Sequence, residues 1–245
     1  MPPDTVRLQA QGLKIALRAA AFDDVVRAGE IAGLAGLEGQ GQEDYLETLA
    51  GHRRALEGAV RADGAVIGSA AQAVRHGVAY LPRDRRSTGI FPTLSVIDNF
   101  AAATPGADAT LGLIAAGARR KRFAVWRERL SVVARSDSLP ITSLSGGNQQ
   151  KVLLARVLAL KPRVLLLNDP TRGVDIRTRH ALYDVFTRLA AEGMALVVLS
   201  TEIEEILRLC HRVMVFRDGG VQARLDRQDM TVERVIAAMF GRTAA

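Results

Sequence analysis

Three short stretches of this 245-residue chain carry side chains that could do chemistry. The first reads Gly36-Leu37-Glu38-Gly39-Gln40-Gly41-Gln42-Glu43. Its glycines keep the spacing of the pattern G-x-x-x-x-G-K-[ST], whose backbone N–H groups curl around phosphate at a helix start. Gln42 stands at the lysine position, where an ammonium would neutralise the β- and γ-phosphates. Glu43 stands at the hydroxyl position, where an oxygen would hold Mg2+. Losing that cation and adding an anion about 5 Å away weakens phosphate binding by several kcal/mol at an effective dielectric of roughly 20. Taken alone, the loop also reads as a structural glycine turn. Because a helix N-terminus stabilises a carboxylate, Glu43 or Asp44 is expected to fill part of the phosphate site; plain first-turn acid capping is the alternative.

The second stretch is the apolar run Val164 to Leu167 followed by Asn168-Asp169-Pro170-Thr171-Arg172-Gly173-Val174-Asp175. A buried strand ending this way delivers one amide and one carboxylate to a single edge. Asn168 brings no charge to Mg2+, a cation that prefers carboxylates and water. The third is Leu144-Ser145-Gly146-Gly147-Asn148-Gln149-Gln150-Lys151. A serine hydroxyl and bare glycine N–H groups opening a helix form a cup for an anion.

The elements that must position these residues are readable from periodicity and punctuation. Residues 6 to 36 alternate in short runs, with Arg27-Ala28-Gly29-Glu30 as a turn before a strand that ends in the glycine loop. A helix is expected from about Glu43 to Ala50, and a second strand over Gly77 to Leu81. From Ser95 to Arg135 the pattern is helical, with Ser95 capping a helix over Val96 to Ala102. Strand and helix then alternate: helix Asn148 to Leu160, strand Val164 to Leu167, helix Arg177 to Glu192, strand Ala195 to Ser200 and strand Arg212 to Phe216. A helix from Thr231 to Phe240 closes the chain. This order predicts an α/β fold around a parallel sheet.

Composition narrows the functional classes. At 48% hydrophobic the chain can bury one large α/β domain, or a core with a small subdomain. No window approaches the roughly 18 apolar residues of a membrane helix. The best stretch, Ile114 to Ala118 with its flanks, is interrupted by Gly, Asp, Thr and Pro. MPPDTVRLQ lacks the basic-then-apolar pattern of a signal peptide, so a soluble cytoplasmic chain is expected. The lone cysteine, Cys210, excludes an internal disulfide and is expected to be buried and inert. The four histidines lack metal-ligand spacing. A net charge of +7 would suit nucleic acid, but the arginines are dispersed and aromatics are only 4%. Solvated basic faces in an arginine-favouring composition are expected.

Taken together, these stretches resemble the sugar-importer branch of the ABC transporter ATPases, and within it the degenerate second half of their tandem subunits. The resemblance is carried by LSGGNQQK, by DPTRGVD, by Arg27-Ala28-Gly29-Glu30-Ile31 and by Gly77-Val78-Ala79-Tyr80, and it covers about residues 7 to 240. It implies a P-loop NTPase (RecA-like) core with an antiparallel β edge and an inserted helical subdomain. The implied division is 1–84 and 148–245 for the core and 85–147 for the helical subdomain.

The resemblance also assigns roles. Leu144, Ser145, Gly146, Gly147 and Gln149 become the signature that covers a γ-phosphate held by a partner domain, and Asp175 lies in the D-loop. Asn168 takes the Mg2+ position. Asp169 takes the general-base position, one methylene shorter than the family's glutamate, where about 1 Å of misplacement can cost 100-fold in rate. Thr201, in Ser200-Thr201-Glu202, replaces the switch histidine, and Arg83 stands at the glutamine-loop position. Phe22 is a weak candidate for stacking on adenine.

The implied cofactors are ATP and Mg2+, mainly at a site shared with a partner. The implied partners are an intact ABC ATPase domain, a multi-span permease and, indirectly, a sugar-binding protein, with no nucleic acid. The implied location is cytoplasmic, peripheral on the inner face of the plasma membrane. Tandem members are about twice this length, and Met1 directly before the domain start favours a separate subunit. The alternatives are a non-transport ABC ATPase acting on nucleic acid or ribosomes, and a nucleotide-sensing pseudo-ATPase.

Overall fold

The computed structural model describes residues 4–110 and 113–242. In chain order its elements begin with β1 (Val6–Lys14), β2 (Phe22–Arg27), β3 (Ile31–Ala35), α1 (Gln42–Leu49), β4 (Glu57–Ala62), β5 (Ala65–Ile67), α2 (Ala70–Arg75) and β6 (Val78–Leu81). Next come α3 (Val96–Ala101), β7 (Ala109–Thr110), β8 (Leu113–Ile114), α4 (Ala116–Arg129) and α5 (Gly146–Leu158). The last are β9 (Val164–Asn168), α6 (Ile176–Ala191), β10 (Ala195–Leu199), α7 (Ile203–Leu209), β11 (Arg212–Arg217), β12 (Gly220–Asp226) and α8 (Val232–Met239). The chain divides into two compact units.

The first unit takes the described residues up to Tyr80, Arg163–Pro170, and those from Phe186 onward. Its larger sheet has the order β12-β11-β3-β10-β9-β6. The β11–β3, β3–β10 and β10–β9 pairs are parallel, and β12 joins β11 antiparallel. Every residue of β3, β9 and β10 is buried, as a sheet covered on both faces requires, and this is why they read as unbroken apolar runs. The smaller sheet, β2-β1-β4-β5, is antiparallel and supplies the expected β edge.

Aromatic packing fills the core of this unit. Phe22 meets Tyr45 edge-on at 5.3 Å and Phe216 at 5.9 Å, and Tyr45 stacks on Phe216 at 5.4 Å. Phe22 is thus a buried core residue, packed against both rings. His211 Nδ1 accepts the Ile31 N–H at 2.9 Å, a structural role. Cys210 is buried, and burial pushes its thiol well up.

The second unit takes Leu81–Pro162 and Thr171–Val185, so it includes α5, a helix that the sequence reading assigned to the core. Ser95 Oγ accepts the Asp98 N–H and caps α3 as expected. The stretch from Ser95 to Arg135 is less helical than its pattern suggests. After α3 a single turn over Pro105–Asp108 leads into the β7–β8 hairpin, and only then does α4 begin. Leu111 and Gly112, inside that stretch, lie outside the described residues, as does Met1. The basic run at the start of α4 is tied inward. Arg122 donates to both Asp108 oxygens, at 2.9 and 2.7 Å, and Arg119 reaches Asp98 at 2.6 Å. Among the described residues no helix is long and apolar enough to cross a membrane.

Candidate functional site

In the first unit the glycine loop joins β3 to α1. Gly36 must lack a side chain, because a methyl there would sit 2.7 Å from Gln42 Oε1 and 3.0 Å from the Phe216 carbonyl. Gly41, at φ 108°, starts α1 where an added Cβ would come within 2.8 Å of Gly219. The Gln42 side chain folds back into this loop. Its Nε2 donates to the Leu37 carbonyl at 2.8 Å and to the Gly36 carbonyl at 3.3 Å, while its Oε1 is buried without a hydrogen-bond partner. Glu38, Gly39 and Gln40 form the outer turn, and Gln40 is anchored by accepting the Asp218 N–H at 2.8 Å.

The two acids of the first helical turn part company. Asp44 pairs with Arg53. Glu43 is reached from the end of β9, where Asn168 Nδ2 donates to Glu43 Oε1 at 3.0 Å and to the Tyr80 hydroxyl at 3.0 Å. Asn168 is 1% exposed, and its Oδ1 is buried without a hydrogen-bond partner. Burial raises the Tyr80 hydroxyl above its usual range, against the opposing hydrogen bond from Asn168.

The next residue, Asp169, takes a left-handed backbone at φ 44° and is 3% exposed. Its Oδ1 accepts from Thr201 N at 2.7 Å and from Thr201 Oγ1 at 3.1 Å. Asp169 and Thr201, the residues expected at the general-base and switch-histidine positions, are therefore hydrogen-bonded to each other. A left-handed, non-glycine residue held this way stores about 1–3 kcal/mol, a feature that gathers at functional sites.

The second unit holds the residues expected to form the signature cup. Ser145 Oγ caps α5, accepting from Asn148 N at 3.4 Å and from Asn148 Nδ2 at 2.9 Å. Gln149 Nε2 donates to the Leu144 carbonyl at 3.0 Å and fixes the approach to the helix. Both glycines are crowded from outside the helix. A Cβ on Gly146 would lie 2.6 Å from Arg85 Nη2, and one on Gly147 would lie 2.7 Å from Thr178. Asp175 accepts the Thr178 N–H at 2.9 Å and its hydroxyl at 2.8 Å; these two bonds hold its carboxyl below the usual range. Arg83 lies in the turn that follows β6.

Sequence reasoning missed three contributors. Tyr80 was visible as part of a strand and of the Gly77-Val78-Ala79-Tyr80 resemblance but without a role, Thr178 as an ordinary helix residue, and Arg85 as one member of a short basic run. Nothing in their local pattern marks them; their roles come from chain segments distant in sequence.

These features decide the family. The sequence profile described as "ABC transporter" matches residues 22–172. The chain belongs to the ABC transporter ATPase family. This ABC ATPase domain is 39% identical over 241 residues to the Ribose import ATP-binding protein RbsA 2 of Rubrobacter xylanophilus, covering 98% of the chain and 46% of that protein. It is 35% identical over 248 residues to the Ribose import ATP-binding protein RbsA of Yersinia pestis, covering 99% of the chain and 48% of that relative. The chain thus spans about half the length of the curated relatives it matches.

Solved structures bear out the fold. An ATP-binding cassette in its ADP conformation superposes with a TM-score of 0.79 at 17% identity, covering 97% of this chain and 100% of that one. A dimeric cassette in a post-hydrolysis state, bound to ADP and Pi, gives 0.76 at 19% identity, covering 90% and 98%. ATPases of this family use ATP with Mg2+.

Proposed function

We propose that this chain is an ATP-binding component of a sugar-type ABC importer whose signature completes the active site of an intact partner ATPase. The observation that carries this reading is the contrast between its two anion-binding features. Ser145, Gly146 and Gly147 keep a capped helix start with bare glycines. In the chain's own loop, the Gln42 amide donates to loop carbonyls and Asn168 donates to Glu43.

That donor set suits the nucleotide poorly. Gln42 offers no charge to a triphosphate, and Glu43 brings negative charge to the same loop. Asn168 supplies no carboxylate for Mg2+, and Asp169 is engaged by Thr201. The own site is accordingly deficient in hydrolysis. ATP with Mg2+ is handled mainly at the shared site, where the partner supplies lysine, metal ligands, general base and histidine. There this chain contributes the Ser145 hydroxyl and the glycine N–H groups toward the γ-phosphate, with Asp175 at the same interface. Donors aimed at charge that develops in a transition state lower its energy most in a dry site.

The relatives are named for ribose import, which supports a sugar or sugar-like cargo delivered by a binding protein to a multi-span permease. The chain would work on the cytoplasmic face of that permease. Its test is Gly146→Asp in the assembled complex. The added carboxylate meets the bound anion, and ATPase activity is expected to fall about 100-fold or more. Undiminished hydrolysis would overturn the proposal.

A further inference from the structure

The segment between β6 and α3 is the part of the second unit that the signature reading leaves unexplained. It is a wide turn, Arg85–Gly89, with i to i+5 geometry, a form that recurs at functional sites. Its sequence builds it firmly. Asp84 Oδ1 accepts from Arg86 N at 2.8 Å and Ser87 N at 3.2 Å, and Thr88 Oγ1 returns to the Asp84 carbonyl at 2.7 Å. At the far end Arg156, on α5, donates to the Gly89 carbonyl and lies 5.4 Å over the Phe91 ring. The turn is thereby bolted to the signature helix.

What the turn presents is Arg85. Its Nη1 donates to the Arg172 carbonyl at 2.9 Å and its Nη2 to the Gly173 carbonyl at 3.2 Å. The same Nη2 is the atom that a Cβ on Gly146 would approach to 2.6 Å, with the Gly173 carbonyl 3.3 Å from that Cβ. Guanidinium, D-loop carbonyls and signature glycine form one packed contact with no room for a methyl group. The arrangement is not the cheapest one for an arginine. Its Nε–H is buried without an acceptor, and burial disfavours its charge. An unsatisfied buried donor calls for an explanation beyond stability.

We infer that Arg85 is a positioning residue of the signature cup, clamping the D-loop backbone to Gly146 through its planar fork. Two carbonyls at a fixed separation suit a guanidinium and not an ammonium, so Arg85→Lys does not restore the clamp. The inference rests on the reading that this cup closes a partner's ATP site.

The experiment compares Arg85→Gln, Arg85→Lys and Gly146→Asp in the assembled importer, with amide hydrogen exchange on the free variant chains. Both Arg85 variants are expected to lower kcat roughly 10- to 100-fold with the KM for ATP unchanged, the cost of misplacing donors by about 1 Å. In the free chains, exchange at Arg172 to Asp175 is expected to rise. If Gly146→Asp abolishes hydrolysis while either Arg85 variant keeps its kcat, the clamp is overturned and the shared-site reading survives. Unchanged exchange at the D-loop also overturns it. A silent Gly146→Asp would instead remove the underlying reading.

Discussion

At positions 42 and 168 this domain places side-chain amides, and each donates to groups within the first unit. The Gln42 amide makes the contacts to the Leu37 and Gly36 carbonyls that suit an ammonium, without its charge. The Asn168 amide bridges Glu43 on α1 and the Tyr80 hydroxyl on β6. From sequence, the changes at 43 and 168 read as two separate losses. In the fold they meet at 3.0 Å, a pairing across 125 positions that no local pattern could reveal. Asn168→Asp tests whether they are matched. It sets two carboxylates in contact at a 1% exposed position, and repulsion with loss of the donor should lower stability by ~2 kcal/mol. Thermal melting should show the loss, and millimolar Mg2+ should relieve it. A variant that melts like the parent would show the Glu43 contact to be incidental.

Between elements, the starts of α5 and α6 depend on one close approach. A Cβ on Gly147 would lie 2.7 Å from Thr178 Cγ2 and 2.8 Å from its hydroxyl, the same hydroxyl that holds Asp175. Gly147→Ala should displace Thr178, free Asp175 and cost about 1–3 kcal/mol, the usual range for overpacking. A urea melt would register a lower midpoint at unchanged slope. Asp175 adds a pH signature. The Thr178 hydrogen bonds hold its folded pKa below the ordinary aspartate value, so its stabilising contribution is present above that ordinary value and disappears as pH falls through the folded pKa. In Gly147→Ala that acid-side loss should shrink, as NMR titration of the Asp175 carboxyl would report. The elements that carry this site were legible because periodicity is strong in long, buried segments. The helix expected over Asn148 to Leu160 lies at Gly146–Leu158, and the strand expected over Val164 to Leu167 extends one residue further, to Asn168. The edges were not legible. β12 carries Arg224 and Asp226 and alternates between half-buried and exposed, while β7 and β8 are two residues each, too short for any period to show.

At the scale of the whole chain, the +7 charge reads from sequence as solvated basic faces, and several arginines prove to be internal fasteners. Arg212 is the clearest. From β11 in the larger sheet of the first unit it meets Asp24 Oδ1 at 2.9 Å and the Val25 carbonyl at 2.7 Å, both on β2 of the smaller sheet. Its Nε reaches Glu30 Oε1 at 2.5 Å in the turn before β3, and Asp24 also accepts the Tyr45 hydroxyl from α1 at 2.8 Å. Burial alone would disfavour the guanidinium's charge, but Asp24 and Glu30 outweigh it and raise its pKa. One side chain thus joins the two sheets that frame the glycine loop. Arg212→Met should cost about 3–5 kcal/mol, because it leaves two carboxylates, with side chains 6% and 14% exposed, without their cation. Adding Asp24→Asn and Glu30→Gln to that variant should recover at least half of the loss in chemical denaturation. Recovery would assign the cost to unpaired buried charge. Failure to recover would assign it instead to lost packing between the sheets, with the ion pairs contributing little.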